Sequence, residues 1–382
     1  MAASTVRMPR MPTTEFTAFD HETMARALRL AERGRFTTKP NPMVGCVLVK
    51  AGAVVGEGWH RHAGGAHAEI HALDAAGEDA RGATAYVTLE PCAHVGRTGP
   101  CADALIEAGV SKVIAAMRDP FPKVDGAGFD KLRGAGIEVA SGLMAAQARE
   151  LNRAFFSRIE RGRPWLRIKL GVSLDGHTAL ASGESQWITS PEAREDVHHW
   201  RARCGALLTG AGTVLADDPH LTVRLSDGAD FVPPLRVVLD AGLATVARGN
   251  VRRGDGATLY FHAPDAKPPR GIDLLRHPVA LAGGQLDLAA VLAELARREI
   301  NEVQVEAGAT LAGAFLRAGL VDEVLLYLAP VLLGEQARPM FGGLGIDRMS
   351  DGQRLKLLDL RQIGPDLRLL MAPGAGNAGG DV

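Results

Sequence analysis

The chain has few cysteines, no long apolar run and almost no net charge, and each absence excludes a class of protein. Four cysteines in 382 residues are too few for a disulfide scaffold and favour a reducing compartment. No apolar run is long enough to cross a bilayer, and the first residues lack the apolar segment of a secretory signal. A formal net charge of -1 indicates no surface for a polyanion. We therefore expect a cytoplasmic protein that binds no membrane.

Length and composition predict a globular protein with two domains. The 382 residues are 46% hydrophobic and 23% charged, and strand patterns alternate with helix patterns in both halves. The alternation restarts after Arg161-Gly-Arg-Pro164. The expected parts are a disordered lead-in at 1–18, a first α/β domain at 19–145, a linker helix at 146–163, a second α/β domain at 164–373 and a flexible tail at 374–382.

Hydrophobic periodicity and capping residues locate the elements. A helix is expected from Pro191, because Ser190 suits the N-cap and proline suits the first helical position. Cys46 and Cys204 lie in apolar strand-like runs, which predicts buried, inert thiols. The other expected helices are Glu22–Arg33, His67–Ala76, Ala102–Ala108, Leu288–Arg298 and Thr310–Ala318. The expected strands are Val44–Lys50, Ala53–Gly58, Ala83–Leu89, Lys112–Met117, Trp165–Val172, Gly205–Thr209, Leu235–Asp240, Thr258–Phe261, Glu302–Glu306 and Glu323–Ala329.

The segment His67-Ala-Glu69, followed by Cys92 and Cys101, carries the strongest chemical signal. One imidazole and two thiolates can hold zinc tetrahedrally with the fourth position open for water. In the zinc-dependent nucleobase deaminases a Glu at this spacing is the general acid/base and not a ligand. Their usual P-C-x-x-C is replaced here by eight residues between the thiols. The alternative is a structural zinc site, although such sites normally have a fourth protein ligand.

Helix geometry constrains this site. Residues two apart on a regular helix point about 200° from each other, so His67 and Glu69 can share a target only if His67 begins its helix. The preceding Ala63-Gly-Gly-Ala66 suits such a turn. Cys92 and Cys101 are expected to reach the metal from a neighbouring helix start. His71 lies on the same helix face as His67, and we expect a surface or supporting role for it rather than ligation.

The second half lacks the strand–GxGxxG–helix fingerprint, so the usual dinucleotide-binding fold is not indicated. Its segment Glu306-Ala-Gly-Ala-Thr310 instead predicts a strand that ends in a small-residue turn and opens a helix. Free backbone N–H groups at such a helix start can bind a phosphate. This signal alone is weak.

Seven motifs resemble the bifunctional deaminase–reductase family of riboflavin biosynthesis. They are RFTTKPNPMVG, HAEIHAL, TLEPCAHVGRTGPC, KLGVSLDGHTA, SGESQWIT, ADDPHLTVR and EAGATLAGAFL, and the resemblance runs from about Phe19 to Leu370. It implies a cytidine-deaminase-like three-layer α/β domain followed by a dihydrofolate-reductase-like α/β domain. It also implies hydrolytic loss of the pyrimidine 2-amino group from a diaminopyrimidinone ribosylamine 5-phosphate, then NADPH-dependent reduction of the ribosyl group to a ribityl chain.

The resemblance also implies site residues and partners. It makes Glu69 the catalytic proton donor and His67, Cys92 and Cys101 the zinc ligands. The implied cofactor residues are Gly171, Trp187, Thr213, Asp217, Gly308, Ala309, Thr310, Leu311, Ala312, Gly313 and Ala314, and the implied substrate residues are Ser185, Arg201, Leu221, Arg224 and Glu306. Zinc and NADPH are the expected cofactors, with NADPH preferred over NADH on the resemblance alone. The expected partner is a small phosphorylated pyrimidine, not a nucleic acid, and a homo-oligomer is expected.

Several residues keep two interpretations. Asn41 could contact the substrate through its carboxamide, or be a turn residue between two prolines. Arg201 and Arg224 suit a phosphate, or form surface salt bridges. Lys169 and Asp175 could orient the sugar, or have only strand and turn roles. A further hypothesis places the substrate phosphate on the loop between the thiols, otherwise a solvated loop, at His94, Arg97 and Thr98.

The sequence departs from the family at three positions. Phe121 and Ala127 stand where the family commonly has Asn and Arg, so the resemblance does not imply the contacts of those two side chains here. Ala241 replaces a Ser at a nucleotide position. The alternative functions are a nucleic-acid deaminase with an accessory domain and a non-catalytic zinc-stabilised binding protein. The neutral charge and the long thiol spacing disfavour the first, and Glu69 beside the metal disfavours the second.

Overall fold

The computed structural model describes residues 15–93, 99–121, 125–247, 249–254 and 256–374. Most of the expected lead-in and tail lie outside these residues. The described chain divides into two units: residues up to 34 together with 43–152, and residues 35–42 together with 153 onward. No described helix combines the length and the apolar character that a membrane span requires.

The first unit is built from five strands and five helices within the described residues. The strands are β1 (Gly45–Lys50), β2 (Ala53–Trp59), β3 (Thr84–Val87), β4 (Lys112–Ala115) and β5 (Glu138–Ser141). The helices are α1 (Ala18–Glu32), α2 (Ala68–Ala76), α3 (Cys101–Glu107), α4 (Ala127–Gly134) and α5 (Ala145–Leu151). The sheet order is β2-β1-β3-β4-β5, with β1 antiparallel to β2 and β3 and with β3, β4 and β5 parallel.

The two faces of β1 show the layering of this unit. Successive side chains of a strand point to opposite faces. Cys46 and Leu48 pack in one apolar cluster with Ala72 of α2, whereas Val47 packs in another with Met24 of α1. The sheet therefore lies between two helical layers, and Cys46 is buried as expected.

A glycine on β2 lets α2 approach the sheet closely. A Cβ atom at Gly58 would lie 2.3 Å from the carbonyl oxygen of Ala68, the first residue of α2. His67 precedes α2 as its N-cap, with extended backbone (φ -78°, ψ 169°). The start of α2 is thus held against β2 at the position that presents His67 and Glu69, as the helix geometry predicts.

The second unit contains a mixed sheet flanked by helices. Its helices are α6 (Arg153–Arg161), α7 (Pro191–Arg203), α8 (Ala211–Asp217), α9 (Leu288–Arg297) and α10 (Ala309–Arg317). Its strands are β6 (Trp165–Ser173), β7 (His177–Ala179), β8 (Ala206–Gly210), β9 (Leu235–Leu239), β10 (Thr258–His262), β11 (Leu275–Pro278), β12 (Leu281–Ala282), β13 (Gln285–Leu286), β14 (Glu302–Val305), β15 (Glu323–Ala329), β16 (Arg338–Pro339), β17 (Leu355–Ile363) and β18 (Asp366–Pro373).

The large sheet has the order β11-β10-β9-β8-β14-β6-β15-β18-β17. The strands from β11 to β15 in that order are parallel, and β18 and β17 add an antiparallel edge. Ile168 of β6 packs on Phe315 of α10 on one face, while Tyr327 of β15 packs on Val197 of α7 on the other. Helices therefore cover both faces of the sheet.

The observed division differs from the expected one at two places. The single linker helix expected at 146–163 is two helices, α5 and α6, which belong to different units and are separated by Asn152. The segment Arg35–Pro42 falls within the predicted first domain, but in the structure it groups with the second unit. The Lys39 ammonium donates to the carbonyls of Ala202 (2.5 Å) and Cys204 (2.8 Å), which holds this segment there.

A fully buried arginine lies in the middle of the large sheet. Arg167 of β6 is 0% exposed and contacts Glu302 of β14 at 2.5 Å and Glu323 of β15 at 2.6 Å. Burial opposes the charge, but the two carboxylates more than offset it and raise the pKa of Arg167. Removing one partner from such a buried pair leaves unpaired charge in the interior.

We predict that Arg167→Leu destabilises the second unit. Two buried carboxylates would lose a partner, so the free energy of unfolding should fall by about 3–5 kcal/mol. Arg361→Leu is the control: its side chain is 64% exposed beside Asp359, and it should cost less than about 1 kcal/mol. Urea unfolding followed by tryptophan fluorescence measures both, and equal costs would contradict the prediction.

Candidate active sites

Three potential metal ligands converge in the first unit. The ligand atoms of His67, Cys92 and Cys101 lie within 4.8 Å of one another. His67 Nδ1 is 3.2 Å from the Cys101 Sγ and 3.6 Å from the Cys92 Sγ. His67 precedes α2 and Cys101 is the first residue of α3, so two helix N-termini meet here as expected. His71 is not part of this group among the described residues.

Glu69 lies in the first turn of α2 and is 2% exposed. Its Oε2 atom has no hydrogen-bond partner among the described groups. An unpaired buried carboxylate oxygen is costly, so this atom is suited to a ligand or water. Burial raises the pKa of Glu69 to about 7, which suits a group that both takes up and releases a proton near neutral pH.

The thiols of Cys92 and Cys101 interact directly with each other. The hydrogen bond between them lowers the pKa of Cys92 and raises the pKa of Cys101. The backbone N–H of Cys101 also donates to the Cys92 Sγ at 3.4 Å. A hydrogen bond with Cys92 raises the pKa of His67. Both shifts favour a Cys92 thiolate paired with a protonated His67, and His67 must lose that proton to bind a metal.

The donor set fits zinc. Zn–N and Zn–S bonds of about 2.1 and 2.3 Å in a tetrahedron place nitrogen and sulfur about 3.6 Å apart. The two observed separations from His67 Nδ1, 3.2 and 3.6 Å, are close to that value. No fourth side chain joins the group in the described part of the chain, which is the pattern of a catalytic rather than a structural site.

The structure gives little positional information on the other residues predicted for the first site. His94, Arg97 and Thr98 lie outside the described residues. Asn41 lies in the segment that groups with the second unit, and its N–H donates to the Thr38 carbonyl at 2.8 Å. That bond is a turn contact, and the substrate role of Asn41 stays a prediction.

In the second unit, Arg201 and Glu306 form a two-pronged ion pair at 2.7 and 2.8 Å. Burial opposes ionisation of Glu306, but Arg201 more than offsets it and lowers the pKa of Glu306 to about 2. Arg201 also donates to the Thr222 carbonyl at 2.9 Å. Three of its N–H donors are therefore engaged within the protein, and the substrate role of Arg201 stays a prediction.

Lys169 lies beside this pair. Burial lowers the pKa of Lys169, and Glu306 partly opposes that effect. Its Nζ atom is 5.8 Å from the ring centroid of Tyr327. Asp175, by contrast, accepts the N–H groups of Leu333 and Gly334, which is a turn role.

Arg224 faces open space. It lines a cavity of about 340 Å³ that His198 and Ser226 also border. Its Nη2 lies 3.3 Å from His198 Nε2, and no ion pair of Arg224 occurs within the described residues. Arg224 is thus better placed than Arg201 to receive an anion.

Some of the predicted cofactor residues follow the carboxyl ends of parallel strands: Thr213 and Asp217 follow β8, and Gly308 follows β14. The Gly308 N–H donates to Thr213 Oγ1 at 3.3 Å, and Ser185 Oγ donates to Asp217 Oδ1 at 3.5 Å. Gly308 is the N-cap of α10. Ligands of open α/β sheets bind at this edge, and a helix start offers N–H groups to phosphate. Leu221 differs, because its side chain is 3% exposed and packs in an apolar cluster.

Trp187 is exposed and supported from one side by a residue that the sequence did not indicate. The Trp187 side chain is 69% exposed, and the Arg194 guanidinium lies 4.3 Å from its ring centroid. Arg194 also donates to the Thr189 carbonyl at 2.6 Å. Sequence reasoning missed Arg194, His198 and Glu90, and only the position of Glu90 next to Pro91-Cys92 could have marked one of them.

Two family models match the chain. The cytidine and deoxycytidylate deaminase zinc-binding region matches residues 17–117. The RibD C-terminal domain matches residues 164–369. The first match covers His67, Glu69, Cys92 and Cys101, and the second covers the reductase residues.

Full-length relatives match both halves together. The riboflavin biosynthesis protein RibD of Escherichia coli strain K12 is 49% identical over 362 residues, covering 92% of this chain and 98% of that protein. The RibD of Haemophilus influenzae is 45% identical, covering 94% and 99%.

Solved structures are also similar to this chain over nearly its whole length. Acinetobacter baumannii RibD is 44% identical with a TM-score of 0.87, and the match covers 93% of this chain and 99% of that one. A Thermotoga maritima diaminohydroxyphosphoribosylaminopyrimidine deaminase/5-amino-6-(5-phosphoribosylamino)uracil reductase is 33% identical with a TM-score of 0.82 and the same coverage.

Fold and sites thus define a zinc-dependent deaminase joined to an NADPH-dependent reductase. The chain belongs to the RibD family of riboflavin biosynthesis proteins. It is a bifunctional enzyme, and the predicted fold class, a cytidine-deaminase-like domain followed by a dihydrofolate-reductase-like α/β domain, is confirmed.

We predict that Gly313→Ala weakens NADPH binding. A Cβ atom at Gly313 would lie 2.0 Å from the Gly342 carbonyl oxygen, so α10 and its N-terminus must shift. A shift of about 1 Å in a positioning element can cost about 100-fold, and we expect KM for NADPH to rise at least about tenfold. Gly212→Ala is the control, since nothing lies within 4 Å of its Cβ. Reductase kinetics on both variants measure the effect, and equal KM values would contradict it.

Proposed function

We propose that this enzyme removes the 2-amino group of a diaminopyrimidinone ribosylamine 5-phosphate and then reduces the ribosyl group to ribityl. The observation that carries the proposal is the convergence of His67, Cys92 and Cys101 beside the buried, unpaired Glu69 oxygen. The names of the Thermotoga relative's two activities describe the same pair of reactions.

In the first reaction, C–NH₂ and water become C=O and NH₃. His67, Cys92 and Cys101 would hold zinc, which when bound supplies Lewis acidity that makes water acidic near neutral pH. Glu69 takes up the proton of the attacking water, passes it to the ring nitrogen and then assists the departure of ammonia. Its raised pKa suits this double role, because the protonated and ionised forms are both accessible at neutral pH.

In the second reaction a hydride is added to the first sugar carbon and a proton to the ring oxygen that leaves it. NADPH supplies the hydride. The half-buried Lys169, close to Glu306, is the group we assign to hold and protonate the sugar oxygen. Arg201 keeps Glu306 ionised and oriented, and Arg224 at the open cavity receives the phosphate.

The remaining residue assignments follow the same arrangement. We propose that Gly171, Thr213, Asp217, Trp187 and the start of α10 bind NADPH, with the phosphates at the α10 N-terminus. Ser185 lies next to Asp217 and would contact the substrate beside the cofactor.

We further propose that the substrate is a free nucleotide-like molecule and not a nucleic acid, that the protein works in the cytoplasm, and that it forms a homo-oligomer. The near-zero net charge supports the first point. Affinity for RNA that falls steeply as salt rises would favour the nucleic-acid alternative.

The first experiment is product analysis. Zinc-loaded protein is incubated with the diaminopyrimidinone ribosylamine phosphate, with and without NADPH, and products are identified by mass spectrometry. We expect deaminated product without NADPH, and deaminated ribityl product with it. Unchanged substrate in both samples would overturn the proposal.

We predict that Glu69→Gln abolishes deamination selectively. The amide keeps the side-chain volume but cannot carry the proton, so the deamination rate should fall about 10²–10⁴-fold. Reduction of the already deaminated substrate should not change, because that chemistry is assigned to the second unit. The exposed Glu78→Gln is the control. Retained deaminase activity in Glu69→Gln would remove Glu69 from the mechanism.

Metal removal should separate the two activities in the same chain. A zinc chelator is expected to stop deamination and to leave NADPH-dependent reduction unchanged, because only the first unit holds the His/Cys group among the described residues. Zinc added back should restore deamination. Loss of reductase activity together with deaminase activity would contradict this separation.

A further inference from the structure

Glu90 makes an unusual set of hydrogen bonds in the first unit. It is 4% exposed, and its two carboxylate oxygens accept four backbone N–H groups. Asp119 and Gly126 donate to Oε2 at 3.2 and 3.1 Å, and Gly128 and Phe129 donate to Oε1 at 3.0 and 3.3 Å. Both oxygens are therefore fully engaged, and Glu90 itself has no capacity left for a metal or a substrate.

These bonds tie Glu90 to the start of α4. The first N–H groups of a helix have no intrahelical acceptor, and the N-cap Gly126 has no side chain that could supply one. Glu90 supplies the acceptor instead, and negative charge is favourable at a helix N-terminus. The contact between α4 and Pro91 is close, since a Cβ atom at Gly128 would lie 1.9 Å from the Pro91 carbonyl oxygen.

Cys92, which follows Pro91, is held by α3 on the side opposite to α4. The Cys92 carbonyl accepts the Ala102 N–H at 3.1 Å, and the Cys92 Sγ accepts the Cys101 N–H at 3.4 Å. The short segment Pro91-Cys92 therefore lies between the N-terminal turns of α3 and α4. Displacement of either helix would move the Cys92 thiol relative to His67 and Cys101.

We propose that Glu90 is a positioning residue for the zinc centre, which fixes Pro91-Cys92 against α4 so that Cys92 meets His67 and Cys101 at metal-binding separation. The inference rests on the proposed zinc ligands. It adds a role for a residue that contacts neither the metal nor the substrate and acts through the backbone of a ligand.

The variant Glu90→Gln tests the proposed positioning role, because the amide keeps the side-chain volume but turns an NH₂ group towards two N–H donors. Metal-free full-length protein is titrated with Co²⁺, whose thiolate charge-transfer and d–d absorption report affinity and coordination geometry. Supporting groups around a metal site typically contribute 10–100-fold to affinity, so we expect Co²⁺ to bind about tenfold more weakly, with shifted d–d bands. Reductase activity should be unchanged. The exposed Glu107→Gln on α3 is the control.

Gly128→Ala is an independent variant that disturbs the contact between α4 and Pro91 from the α4 side. Gly134→Ala in the same helix is its control, because nothing lies within 4 Å of a Cβ there. Thermal unfolding of the metal-free variants shows whether the first unit is retained. Weaker, spectrally altered Co²⁺ binding in a folded Glu90→Gln or Gly128→Ala protein supports the proposal.

Wild-type affinity and spectrum in both folded variants would overturn the role of Glu90. Loss of the first unit's unfolding transition in both variants would also overturn it, in favour of a purely structural role. If wild-type protein itself showed no thiolate charge transfer with Co²⁺, the zinc ligands would be wrong, and that failure is distinct from the other two.

Discussion

Tetrahedral metal coordination requires three side chains from separate parts of the chain to meet within a few ångströms, and the packing of the first unit is organised around that requirement. His67 is delivered by the start of α2, which Gly58 allows to lie against β2. Cys101 is delivered by the start of α3. Cys92 belongs to an irregular segment, so its position depends on the two helix starts that hold it. The metal site is therefore only as precise as these backbone contacts.

The second unit has a different constraint, because several of its polar side chains lie within the parallel part of the large sheet. Residues two apart on a strand share a face, so Arg167 and Lys169 of β6 lie on one face, as do Glu302 and Gln304 of β14. Arg167 with its partners is closed off in the interior. Lys169 and Glu306 lie further towards the carboxyl edge of these strands, where ligands of such sheets bind. One face of the sheet thus carries a closed ion-pair cluster and, further along the same strands, polar residues at the edge where we propose that the substrate binds.

The sequence correctly predicted features that depend on local patterns of residues. His67 at a helix start follows from the spacing to Glu69, and the start of α7 follows from Ser190-Pro191. The pairing of Arg201 with Glu306, 105 positions apart, has no local signature. The same holds for the Lys39 contacts that group residues 35–42 with the second unit. Such contacts are set by which strands and helices become neighbours, and periodicity does not specify that.

The family departures at Phe121 and Ala127 can be judged from these contacts. The Phe121 N–H donates to Asp119 Oδ1, and Glu90 accepts N–H groups on both sides of Ala127. Backbone N–H groups are the same whichever side chain a residue carries, so these substitutions leave the bonds that hold α4 and Pro91-Cys92 intact. Relative to the Asn and Arg that the resemblance implies, the chain lacks an amide at Phe121 and a guanidinium at Ala127, the first residue of α4. The two substitutions are therefore not expected to change the backbone contacts that hold Cys92 in the metal site.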